Sequence, residues 1–113
     1  MADRSVVLTT AGSPDEARRL ARALVEARLA ACAQLVPIDS VYRWEGEVRE
    51  DREVLLVIKT STDRYAEVEA LVRELHSYEV PEVVRLDVAE GLPEYLDWIG
   101  DSVSPRTDQP PST

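Results

Sequence analysis

The sequence has no asparagine and no phenylalanine, and only one cysteine, one histidine, one methionine and one lysine among 113 residues. A lone cysteine, Cys32, excludes an intrachain disulfide, a zinc ribbon and a thioredoxin-like CxxC pair. The missing asparagine removes the residue that positions water in acylphosphatase-like chemistry, and it leaves a cysteine–histidine pair without its usual amide orienter, though not without an Asp or Glu to orient it. No apolar run approaches the ~20 residues that span a bilayer. The segment after Met1 has no signal-like apolar core or cleavage site, so a cytoplasmic location is expected. A glycine-rich phosphate loop, a GxSxG elbow and an HExxH helix are all lacking. Positive charge is also scarce, with 13 Lys and Arg against 22 Asp and Glu and a formal charge of -9. Binding to nucleic acid or to an anionic membrane, which depends on cationic side chains, is therefore disfavoured. The strands also lack the aromatic motifs of an RNA-recognition sheet.

What is present is 44% hydrophobic and 31% charged residues, the balance of a soluble globular chain with one core. Ser5 to Thr10 is a β-branched run that leads, past Gly12, into Ser13-Pro14-Asp15-Glu16, a capping box with proline at the first helical position. Ala17, Leu20, Ala21, Leu24 and Val25 then form the apolar stripe of a helix that fades near Arg28. Cys32 to Val36 and Val41 to Trp44 read as strand. Val54 to Ile58 is continuously apolar, the pattern of a strand covered on both faces. Between them Glu45-Gly46 is the best turn, with Arg49 to Arg52 able to carry a bulge or second bend. Thr62-Asp63 can cap a second helix with the stripe Tyr65, Val68, Leu71, Val72 and Leu75, ending near His76. Glu82 to Val88 reads as a fourth strand. Pro93 opens a last helix whose apolar side is Tyr95, Leu96, Trp98 and Ile99.

The order strand, helix, strand, strand, helix, strand with a C-terminal helix predicts an α+β, ferredoxin-like βαββαβ domain over residues 1–103. A disordered tail is expected from Ser104 to Thr113, which holds three prolines and no apolar side chain. Hairpin arms of ~12 residues or more would project past a six-residue first strand, and an isolated two-stranded ribbon is marginal in water. A closed homo-oligomer in which the ribbon pairs with other copies is therefore expected.

Few residues carry chemistry. Cys32 lies among alanines, a context for a small buried hydrophobe, or for a soft thiolate ligand of copper or zinc if it ionises. His76 ends a helix, where its cation would suit the dipole, or it could ligate metal. The segment His76-Ser77-Tyr78-Glu79-Val80-Pro81-Glu82 is the densest polar cluster in the chain. One cysteine and one histidine cannot close a zinc site, so a metal needs carboxylates or ligands shared between subunits. Tyr42-Arg43-Trp44-Glu45-Gly46-Glu47 alternates aromatic and charged side chains as a half-exposed strand end does. No nucleophile has an adjacent base, so no enzymatic activity is expected.

Taken together, Leu29 to Ala33, Tyr42 to Glu47, Leu56 to Thr60, Glu74 to Glu82 and Tyr95 to Ile99 resemble the CutA divalent-cation tolerance proteins, in order and spacing across residues 5–102. The resemblance implies a homotrimer, architecturally similar to the PII signalling proteins, with the long central strands pairing between subunits. It implies a role in tolerance of divalent metals, chiefly copper. The metal residues it suggests are Cys32, His76 and either Glu79 or Glu82. Tyr42, Trp44, Tyr78 and Trp98 are the candidates for a cleft or subunit contact, and a PII-like scaffold holding a small molecule or a partner segment in such clefts is the alternative. Two positions depart from the family pattern: Ser77 stands where a proline usually follows the histidine, and Gln34 where an asparagine is usual.

Overall fold

The computed structural model describes residues 2–105. Four strands and three α-helices follow the order β1 (Arg4–Ala11), α1 (Pro14–Glu26), β2 (Cys32–Trp44), β3 (Glu47–Ser61), α2 (Tyr65–Leu75), β4 (Val84–Asp87) and α3 (Pro93–Val103). The sheet is antiparallel throughout, in the spatial order β2-β3-β1-β4. This is the α+β, ferredoxin-like arrangement expected from the sequence, with its C-terminal helix. Of the tail expected from Ser104, residues 106–113 lie outside the described ones.

The central hairpin sets the shape. β2 has 13 residues and β3 has 15, whereas β1 has eight and β4 four. β1 ends at Ala11 opposite Val54, so Ile38 to Glu53 runs on as a two-stranded ribbon and the chain measures 57 Å along its long axis. Glu45 (φ 52°) and Gly46 (φ 81°) both take left-handed backbone, the two-residue turn whose twist matches the strands. The register is unbroken from Trp44↔Glu47 to Cys32↔Lys59, so the bulge or bend considered at Arg49 to Arg52 is not formed. Pro37 sits within β2 because β2 is an edge strand, where a missing N–H costs no ladder bond.

Strand alternation gives the sheet two unlike faces. On one, Val7, Val54, Leu56 and Ile58 are buried against Ala17, Leu20 and Leu24 of α1 and Val68 and Val72 of α2. Val25 and Leu75, the last apolar position of each stripe, are left exposed. The other face carries Val6, Leu8, Leu55 and Val57, which are only half-buried, with Val36, Val84 and Leu86 exposed. The expectation that Val54 to Ile58 is covered on both faces is thus met on one face only within a single chain.

α3 covers one end of this second face. Ile99 and Val103 are its buried residues, while Tyr95 and Trp98 stay largely exposed, so the expected apolar side is only half used. Arginines hold the helix in place. Arg4 Nε donates to the Leu96 carbonyl at 2.7 Å, and Arg64 Nε to that of Val103 at 2.9 Å. Arg28 donates to the carbonyls of Ser104 and Asp101, both at 3.2 Å, and these cations meet the negative end of the helix dipole. Arg28 itself stands at φ 61° just past α1, where the N–H groups of Arg28 and Leu29 close back on the carbonyls of Val25 and Leu24.

Candidate functional site

The loop after α2 is fastened to β1 and to the start of α1 by one polar network. His76 follows Leu75, its backbone leaves the helix at ψ 142°, and its side chain is fully enclosed. Its Nε2 donates to the Thr10 carbonyl at 2.6 Å, and its Nδ1 accepts the Tyr78 N–H at 3.0 Å. A nitrogen that accepts an N–H bears no proton, so the ring carries its hydrogen on Nε2 and presents no free lone pair. Both ring nitrogens of His76, the expected metal ligand, are thus occupied inside the fold of the single chain. Nor does it act as the exposed cation capping α2.

Glu16, read from the sequence as one arm of a capping box, does something else. Ser13 makes its half of the box, its Oγ accepting the Glu16 N–H at 3.2 Å. The Glu16 carboxylate instead accepts the N–H and the hydroxyl of Ser77, at 2.8 and 3.0 Å, and lies 3.5 Å from His76 Nδ1. Burial pushes its pKa up, but the hydrogen bonds from the Ser77 N–H and hydroxyl, with the Gly12 N–H, outweigh this and hold it below its ordinary 4.5. Ser77, where the family pattern has proline, thus supplies two donors, one of them a backbone N–H that proline lacks.

Beyond this anchor the loop faces the ribbon across a cavity of about 610 Å³. Tyr42, Trp44, Arg49 and Glu53 line it from the hairpin, and Tyr78, Glu79 and Glu82 from the loop. The Tyr78 hydroxyl donates to Glu53 at 2.8 Å. Its ring passes so close to Gly12 that an added Cβ would stand 3.1 Å from the hydroxyl oxygen. Burial and then the Glu53 carboxylate raise the Tyr78 phenol well above its ordinary 10. The Tyr42 hydroxyl donates to Asp51, which raises that phenol too.

Five of the eight candidate residues, Tyr42, Trp44, Tyr78, Glu79 and Glu82, therefore share this cavity. Cys32 and Trp98 do not. Cys32 pairs with Lys59, four residues along β3 from Leu55, the partner of Thr10; at ~3.4 Å per residue that is roughly 14 Å along the strands. Its Sγ lies 3.8 Å from the Tyr95 hydroxyl, which also receives Lys59 Nζ at 3.4 Å, and Trp98 stacks on Tyr95 with ring centroids 5.5 Å apart. Among the described residues no three His, Cys, Asp or Glu side chains converge as a metal-holding group.

Glu16 and Glu53 were not singled out by sequence reasoning. The glutamate three residues after Ser13 is a visible signal for Glu16, but its partner Ser77 is 61 positions away. Glu53 gives no local signal at all.

Comparison with known proteins bears on the whole of this arrangement. The family model described as CutA1 divalent ion tolerance protein matches residues 5–102. The divalent-cation tolerance protein CutA of Thermus thermophilus is 54% identical over 95 residues, covering 83% of this chain and 92% of that protein. Protein CutA of Mus musculus is 45% identical over 96 residues, which cover 84% of this chain and 54% of the mouse protein. Among solved structures, one described as the periplasmic divalent cation tolerance protein CutA from Archaeoglobus fulgidus superposes with a TM-score of 0.88 at 38% identity, covering 89% of this chain and 99% of that one. The chain belongs to the CutA1 divalent ion tolerance protein family.

Proposed function

We propose that this protein acts in divalent-cation tolerance as a closed homotrimer that binds divalent ions, copper(II) foremost, through donors brought together only where subunits meet. The observation that carries this reading is the open sheet face. Leu86 is 51% and Val84 45% exposed, beside half-buried Val6, Leu8, Leu55 and Val57. Each such side chain contributes about 1.5–3 kcal/mol when fully buried, so a second copy on this face offsets an association cost of about 4–15 kcal/mol. The overhanging ribbon, with Val41 and Val48 exposed and β2 an open edge, gives the same copies a strand to pair with.

The names of the relatives, divalent-cation tolerance proteins, support an ion as the cargo. The donors available are the thiol of Cys32 and the carboxylates of Glu79 and Glu82. Oxygen donors suit copper(II), and a thiolate suits the softer copper(I). His76 enters by fixing the loop that bears the two glutamates. The reading assigns no reaction to the protein, and it places its work in the cytoplasm, where a lone cysteine stays reduced.

Calorimetric titration with copper(II) tests the proposal, using the wild type, Cys32→Ser, and Glu79→Gln with Glu82→Gln, with the mass recorded on each sample. Saturable binding at an integral number of ions per trimer, weakened at least tenfold in a variant that stays trimeric, is the expected result. Weak, non-saturating uptake that is equal in all three would mean the acidic surface collects ions without a site.

A second reading is favoured by the cavity itself. Three aromatic side chains around about 610 Å³ make a cleft of small-molecule size, as a PII-like scaffold would need.

A further inference from the structure

The walls and charges of the cleft between the ribbon and the loop after α2 restrict what it can hold. Tyr42, Trp44 and Tyr78 give it aromatic surfaces, and three carboxylates, Glu53, Glu79 and Glu82, face one guanidinium, Arg49. That guanidinium is already engaged, its Nη2 lying 3.5 Å from Glu45 and 3.9 Å from Glu47. Glu53 is also engaged, by the Tyr78 hydroxyl. Glu79 and Glu82 form no ion pair among the described residues.

An anionic ligand would be repelled by this surplus of carboxylates. A wholly apolar one would strip water from Glu79 and Glu82 and return nothing. An ammonium on an aliphatic stem meets both conditions. Its charge is received by the carboxylates in charge-assisted hydrogen bonds, and the aromatic faces attract the cation and cover its methylenes. The volume of about 610 Å³ is in the usual small-molecule range of about 300–1,000 Å³, far more than a bare ion coordinated at about 2–2.6 Å requires. Glu79 and Glu82 stand three positions apart in a non-helical loop, at most about 10 Å between Cα atoms, which suits a ligand with more than one ammonium.

From this geometry we infer that the cleft binds an aliphatic polyamine, its ammonium groups on Glu79 and Glu82 and its stem between Trp44, Tyr42 and Tyr78. The inference rests on the second reading above, that the cleft holds a small molecule.

The test is calorimetry of the full chain with spermidine in metal-free buffer, beside the same titration with ADP as an anionic probe. The variants are Trp44→Ala, Glu79→Gln with Glu82→Gln, and a charge-matched control away from the cleft, Glu74→Gln with Glu90→Gln. Saturable binding of spermidine is expected, weakened about tenfold by Trp44→Ala and at least tenfold by the cleft pair, with the control like the wild type. A control weakened as much as the cleft pair would overturn the inference, because net charge alone would then explain the uptake. Binding of ADP but not spermidine, lost in Trp44→Ala, would overturn the polyamine while keeping the cleft as a site. Binding of neither probe would overturn both.

Discussion

His76 Nε2 donates to the carbonyl oxygen of Thr10 across 2.6 Å, joining the end of α2 to a β1 residue 66 positions earlier in the chain. The imidazole is enclosed, and its Nδ1 holds the backbone of Tyr78. The only histidine of this cation-tolerance protein is a strut between strand and loop, and the loop it fixes bears the glutamates of the cleft.

Replacing His76 with alanine should therefore act on stability first. It leaves the buried Thr10 carbonyl and the part-buried Tyr78 N–H without their imidazole partner, at about 1–3 kcal/mol for each group left unsatisfied. Urea denaturation should show a loss of about 2–4 kcal/mol. If metal affinity collapsed with stability unchanged, the strut assignment would be wrong.

Glu16 makes the fold sensitive to acid. Its folded pKa lies below the ordinary 4.5, so its contribution is complete above the unfolded value and is lost as pH falls through the folded one. Thermal melts of the wild type should fall steeply below about pH 4.5, and Glu16→Gln should start lower at neutral pH and flatten that part of the profile. Parallel profiles for the two proteins would remove Glu16 from the explanation.

Thr9 points the other way. Its Oγ1 is fully buried and has no hydrogen-bond partner among the described residues, while neighbours such as Val7, Ala11 and Leu56 are apolar. Thr9→Val keeps the branched shape and removes the unsatisfied hydroxyl, so it should stabilise the protein by about 1 kcal/mol in equilibrium denaturation. A loss of stability would point to a donor or acceptor for Thr9 in the assembled protein.

Much of the fold is legible locally. The Ser13 cap, proline at the first turn of α1 and α3, the turn at Glu45-Gly46 and the stripes of α1 and α2 are set by neighbours in sequence and form where expected, although Glu16 does not close the other half of the capping box. What was misread depends on distant chain. Thr62 does not cap α2 with its side chain; its hydroxyl donates to the Ala2 carbonyl and lies 2.7 Å from Ser5 Oγ, and a short 3-10 turn enters the helix instead. The fourth strand shrinks from Glu82–Val88 to Val84–Asp87 and pairs only with Ser5 to Leu8 of β1. The occupied nitrogens of His76 and the distance of Cys32 from Glu79 come from pairings across strands, which no local pattern records. The continuous apolar run Val54 to Ile58 did carry information that a single chain does not use, and it is that surplus which points to assembly.

Assembly is the central claim, and sedimentation velocity at micromolar concentration tests it most directly, on the wild type and on Leu86→Glu. Leu86 lies opposite Val6 on the open face and is half exposed in one chain, so the substitution should leave the fold intact by circular dichroism. The account predicts a wild-type mass about three times 12.6 kDa and a smaller species for Leu86→Glu. A wild type sedimenting at 12.6 kDa would contradict it.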